Sequence, residues 1–138
     1  MKRYYKGKTN SLKTQLIKYS YHLGLALSSL KKPYKECVII DHGGGSGLLG
    51  LLAKELGVNK VIYNDIDAVF TNDAQTIANE LGLESDHYVP GNFSDLFNFI
   101  NINSIICDAI ISYNVIEHIY DIKGSLKNCI LLMRIHWS

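Results

Sequence analysis

Leu12, Leu16, Tyr19, Leu23, Leu27 and Leu30 recur at intervals of three and four residues. That spacing lines one face of an α-helix. It predicts an amphipathic helix over residues 11–31, with Asn10 or Ser11 as its cap and Pro33 barring continuation. The pattern then changes. Cys37-Val38-Ile39-Ile40 is a short apolar run with β-branched residues, bounded by charge before it and glycines after it. Such a run reads as a strand buried on both faces. Leu48, Leu49, Leu51, Leu52 and Leu56 return to helical spacing, with Lys54 and Glu55 off the stripe and Gly57 at its end. Lys60 to Asn64 is a second strand, and Ala68 to Leu81 a helix closed by Gly82 with Asp67 as a cap. His87-Tyr88-Val89 reads as a short third strand and Ser94 to Ile100 as a short helix. Ile105 to Ser112 is a fourth apolar strand, and Ser125 to Met133 a last helix.

Strands that alternate with helices imply right-handed crossovers and a parallel, doubly wound α/β sheet. No repeat, low-complexity tract or long linker interrupts the chain. The boundaries that follow are a basic N-terminal helical region over residues 1–34 and a nucleotide-type α/β body over residues 35–138.

Composition narrows the class. At 138 residues the chain suits one domain. Its three cysteines, Cys37, Cys107 and Cys129, are odd in number and far apart, so no disulfide framework is expected. No apolar run approaches the roughly 18–20 residues of a membrane span. The apolar stretch from Leu23 is broken by Ser28, Ser29, Lys31 and Lys32, which fits a packed helix rather than a secretion signal. The setting expected from these features is cytoplasmic. Net charge is +1, but residues 1–36 hold nine basic groups against one acidic, and the rest five against twelve. Lys2, Arg3, Lys6, Lys8, Lys13 and Lys18, interleaved with Tyr4 and Tyr5, could meet RNA phosphates and bases. The plainer reading is a solvated helix face that complements an acidic body.

Open α/β sheets bind ligands beyond the carboxyl ends of their strands. After the first strand comes Asp41-His42-Gly43-Gly44-Gly45-Ser46-Gly47, where missing side chains permit a tight turn and close ligand approach. Asp65 lies twenty residues beyond Gly45, the spacing of a ribose-binding acid. Gly45-Ser46-Gly47-Leu48-Leu49-Gly50 also matches the dinucleotide fingerprint, so a nicotinamide cofactor competes. Asp41 weighs against it, because its charge repels a pyrophosphate and attracts an ammonium or sulfonium. His22, His87 and His136 have no partners at metal-ligand spacing, and no metal is expected.

Val38 to Gly47 resembles the first motif of class I S-adenosylmethionine-dependent methyltransferases, an apolar strand followed by D-x-G-x-G-x-G. Val61 to Asp67 is similar to that family's second strand, and Gly91-Asn92-Phe93 to its segment after the third, with Asn92 where Asp is common. Asp108 to His118 resembles the fourth-strand motif of its small-molecule members. The resemblance covers roughly residues 35–133. It implies a Rossmann-like fold and methyl transfer from S-adenosylmethionine to a small-molecule acceptor. It places Asp41, Gly43 and Gly45 at the methionine end, Asp65 and Ile66 at the ribose, Asn92 and Phe93 at the adenine edge, and Asn114 beneath the sulfonium. Glu117 and His118 are the tempting bases, His42 reads as a loop side chain, and the catalytic residue stays unassigned. The family's sheet has seven strands, and four are found here, without the usual turn before the fifth. The expectation is therefore either a C-terminally truncated product or an unusually minimal protein whose exposed sheet edge a partner or second copy covers. An RNA methyltransferase and a non-catalytic binding module of the same fold are the alternatives.

Overall fold

The computed structural model describes residues 9–112, together with Lys123, Gly124, Lys127 and Cys129. The order is α1 (Thr9–Ser28), a single 3-10 turn (Tyr34–Glu36), β1 (Val38–His42), α2 (Leu48–Leu56), β2 (Lys60–Asp65), α3 (Ala68–Leu81), β3 (His87–Pro90), α4 (Phe93–Ile102) and β4 (Ala109–Ser112). The four strands form one all-parallel sheet in the order β3-β2-β1-β4. Helices cover both of its faces, which is the doubly wound arrangement the alternating pattern implies.

Strand periodicity sorts the core. Ile39, Val61, Ala109 and Ile111 face α1 and α2, with Leu23, Leu49 and Ala53 packed on them. Ile40, Ile62 and Val89 face the other way, onto Phe93, Leu96 and Ile100 of α4. A third cluster joins α2 to α3 through Leu48, Leu51, Ile77 and Ala78. All six residues of the expected α1 stripe pack inward: Leu23 is buried, and Leu12, Leu16, Tyr19, Leu27 and Leu30 lie against the same clusters.

The helix ends carry the chemistry that their residues suggest. Asp67 caps α3 by accepting from Val69 N–H at 2.8 Å and Phe70 N–H at 3.4 Å. Gly57 and Gly82 close α2 and α3. Asn92 and Asp95 form a reciprocal capping box at the start of α4.

Several boundaries differ from the apolar pattern, among them these three. α1 already runs from Thr9, so Asn10 and Ser11 lie inside it. β1 extends two residues past its apolar run, because Asp41 and His42 keep pairing with Tyr63 and Asn64. β4 begins only at Ala109. Its expected first half follows a turn at Ser104 (φ 51°) and ends at Asp108, whose carboxylate accepts from Val38 N–H at 2.7 Å and meets Lys32 at 3.0 Å. Of the helix expected over 125–133, only Lys127 and Cys129 are described; both are helical, and Cys129 packs on the α4-side core. No described helix is long and apolar enough to cross a membrane.

Candidate active site

β1 and β2 lie side by side in register, so their carboxyl ends bring Asp41 and His42 beside Tyr63 and Asn64. The glycine turn leaves β1 there and is tied down from β2. Gly43 and Gly44 both donate to the Asn64 carbonyl, at 2.8 and 3.0 Å. Gly45 N–H donates to Asp65 Oδ2 at 2.9 Å, and Tyr63 Oη donates to the Gly45 carbonyl at 2.6 Å. Gly45 sits at φ +53° with open space around the position of a Cβ. Gly44 has the opposite surroundings, since a Cβ there would meet the Tyr63 ring and Asp41 Oδ2.

Asp65 organises the turn from the end of β2. Its second oxygen accepts from Asp67 N–H at 2.8 Å, and the residue is buried. Each carboxylate oxygen offers two lone-pair sites, so both keep capacity for a further donor. Ile66 is 76% exposed, and Val69 and Phe70 nearby are also exposed, which makes an apolar shoulder beside Asp65.

Asp41 is the unusual group. It is buried, and its Oδ2 has no hydrogen-bond partner. Burial pushes its carboxyl up to about 7, against the Gly50 backbone N–H, which lowers it, and with the Asp65 charge, which raises it further. The sign of the resulting pH dependence follows. The folded chain holds a proton that the unfolded chain, near 3.8, has already released. The stability this gives is complete below about pH 4, and it is lost as pH rises to about 7. The cost of the buried charge is then on the order of 4 kcal/mol, at about 1.4 kcal/mol per unit. Asp41→Asn should therefore raise the thermal midpoint more at pH 8 than at pH 5. Melting curves of both proteins at the two pH values test this, and an equal difference at both refutes it.

The opposite face of the same rim is neutral. His42 Nδ1 lies 2.7 Å from Asn64 Oδ1, and Asn64 Nδ2 donates to the carbonyls of Val89 at 2.8 Å and Gly91 at 3.1 Å. Phe93 is buried, edge-on to His42 at 5.2 Å between centroids. Asn92 spends its side-chain oxygen on the α4 cap.

The structure thus gathers Asp41, Gly43, Gly45 and Asp65 around one turn, with Gly45 bonded to Asp65, Ile66 next along the chain and Asn92 and Phe93 after β3. Asn114, Glu117 and His118 lie outside the described residues, as do Lys2, Arg3, Tyr4, Tyr5, Lys6, Lys8 and His136. Lys13 and Lys18 are exposed on α1. Sequence reasoning did not single out Tyr63 or Asn64. The available signal was parity. Period two puts Tyr63 on the Asp65 face, and Asn64 is a polar residue at a position whose neighbour, Ile62, is core. A separate cleft of about 340 Å³ lies between α1 and β4, lined by His22, Leu25, Ala26, Ser29, Ile110, Ile111 and Ser112. Among the described residues no cluster of three or more His, Cys, Asp or Glu is placed to hold a metal.

Residues 24–130 match the model of a family described as "Ribosomal protein L11 methyltransferase (PrmA)". Among solved structures, the chain is similar to a ribosomal protein L11 methylase from Lactobacillus delbrueckii subsp. bulgaricus. The two are 17% identical with a TM-score of 0.48, over 80% of this chain and 68% of that one. No curated protein matches the chain. The family match corrects the expectation of a small-molecule acceptor, because its description names a ribosomal protein. The stretch behind that expectation, Asp108 to His118, contains β4, and its residues beyond Ser112 lie outside the described ones. They carry no information on the acceptor.

Proposed function

The chain belongs to the ribosomal protein L11 methyltransferase (PrmA) family, and we propose that it transfers a methyl group from S-adenosylmethionine to ribosomal protein L11. The family match over residues 24–130 carries this reading. S-adenosylmethionine, the methyl donor of this class I family, supplies an electrophilic methyl group on a sulfonium. The protein's task is then to bind, align and exclude water.

The residues of the rim fit such a donor. The orphaned Asp41 Oδ2 belongs to a buried carboxyl raised to about 7, lying under the turn, which a nearby cation would return to its charged form. It attracts a cationic amino-acid moiety by its field rather than by contact, since the oxygen itself is sealed beneath Gly44. Gly43 and Gly45 leave the backbone of the turn approachable. Asp65 has lone pairs to spare for two ribose hydroxyls while it holds Gly45. Ile66 offers an apolar surface next to it. Asn92 and Phe93 border the β3 side, where an adenine ring would rest, and Asn114 belongs to the same reading through its place after β4. In this reading residues 1–34 are the cap region and residues 35–138 the donor-binding body, with α1 lying beside β4. A cytoplasmic setting accompanies the reading, because a ribosomal protein is met there.

The test is direct. The chain is incubated with radiolabelled S-adenosylmethionine and purified ribosomal protein L11. Label should appear on L11 and be absent without the chain. Label absent from L11, with donor binding intact, would remove the acceptor and leave the donor site.

A further inference from the structure

The upper rim of the sheet differs on its two faces. Asp41, Tyr63 and Asp65 share the face toward α2 and α3. On the α4 face, register aligns Ser112, His42 and Asn64 across three neighbouring strands. Two residues lower the same row reads Ile110, Ile40 and Ile62. Apolar packing therefore stops one step below the rim, and a polar row replaces it.

Within this row the hydrogen bonds fix a tautomer. Both Asn64 amide protons are directed to carbonyls, those of Val89 and Gly91, which only accept. Asn64 Oδ1 must then face a donor, so His42 carries its proton on Nδ1. The other ring nitrogen, Nε2, is left as a bare acceptor. It has no hydrogen bond among the described residues, and His42 is only half-buried. Phe93 stands edge-on to the ring and limits its rotation. Beside it, Ser112 Oγ is buried and also lacks a partner among the described residues. A histidine held by one nitrogen with the other unfilled is an oriented acceptor rather than core filling.

We propose that His42 is a donor-contacting residue, presented by Asn64 so that Nε2 accepts a hydrogen bond from an N–H or O–H of the adenosyl half of S-adenosylmethionine. This rests on the reading that the rim binds that donor. Burial lowers the His42 pKa, with the Asn64 hydrogen bond and the Asp65 charge raising it in opposition, so the imidazole is neutral at pH 7. Among the described residues, the other titratable groups next to it are Asp41 and Tyr63, on the opposite face of the sheet. On α4, Asp95 is engaged by Asn92 N–H. Protonation of His42 puts a proton where an acceptor is needed, so binding weakens as pH falls.

Asp41 also titrates, but it acts on the amino-acid half of the ligand. 5′-Methylthioadenosine lacks that half and isolates His42. Calorimetric titration with 5′-methylthioadenosine and S-adenosylhomocysteine is performed at pH 7.5 and pH 5 on the full chain, His42→Phe and His42→Gln. Methylthioadenosine affinity should fall at the lower pH in the parent protein. His42→Phe should bind about tenfold more weakly at pH 7.5, the worth of one hydrogen bond, and show no further fall. His42→Gln, whose amide oxygen accepts, should regain most of the affinity without the pH dependence. Thermal midpoints of both variants separate a folding defect from a lost contact. Methylthioadenosine binding in the parent that does not vary with pH overturns the inference and leaves the donor reading standing. So does a pH-dependent fall that persists in His42→Gln. Absence of binding by both ligands at both pH values overturns the two together.

Discussion

Asp65→Ala should weaken S-adenosylmethionine binding by at least a hundredfold. Two roles are lost together. The carboxylate closes β2 with spare acceptor capacity, and a hydrogen bond to a charged group is worth about 1.5–3 kcal/mol. Two ribose hydroxyls give about 3 kcal/mol or more, and each 1.4 kcal/mol is tenfold. The same oxygens hold Gly45 N–H at 2.9 Å and Asp67 N–H at 2.8 Å, so their removal also loosens the turn. Asp67→Ala separates the two roles. Asp67 caps α3 from an exposed position, and its loss should cost about 1 kcal/mol of stability with little change in affinity. Titration calorimetry on both variants, with circular dichroism to establish folding, reads the difference. A folded Asp65→Ala protein that binds within threefold of the parent would sink the ribose assignment.

The α/β architecture was legible because each element carries its own periodicity. The Leu12–Leu30 stripe, the β-branched run at Val38–Ile40 and the Asp67 and Gly82 termini are local signals, and each stands where its pattern put it. The boundaries that shifted are those set by long-range pairing. Asp41 and His42 look like loop residues in sequence, and only their register with Tyr63 and Asn64 makes them strand. Ile105 to Cys107 look like strand, and only the contact of Asp108 with Lys32 and Val38 shows why pairing starts later.

The same division holds for the site. Asp41, the glycines and Asp65 were visible as a spaced motif. Their supports were not, because Tyr63 Oη reaches Gly45 across 18 positions of chain and Asn64 reaches His42 across 22. Motif spacing reports the groups that the proposed donor would meet. It does not report the side chains that hold those groups in place, nor the identity of the methyl acceptor.

The support under the turn can be tested by filling it. Gly44→Ala should destabilise the fold by about 3 kcal/mol, and the cost should depend on Tyr63. A Cβ at Gly44 would lie 2.6 Å from Tyr63 Cδ2, nearer still to its Cε2, and 2.8 Å from Asp41 Oδ2. None of these atoms can withdraw easily. Tyr63 is fully buried, and its hydroxyl is committed to the Gly45 carbonyl at 2.6 Å. Overpacking of this kind costs about 1–3 kcal/mol, and a displaced Tyr63 loses its hydrogen bond in addition. Gly45→Ala, one residue on, meets nothing, and its cost is only that of φ +53°, about 1–2 kcal/mol. Tyr63→Leu removes the obstructing ring. In that background Gly44→Ala should cost at least 1 kcal/mol less than in the parent, whereas Gly45→Ala should cost the same in both. Urea denaturation of the two double-mutant cycles measures both couplings. If Gly44→Ala is equally costly with and without the Tyr63 ring, then the ring is not what requires glycine at the centre of the turn.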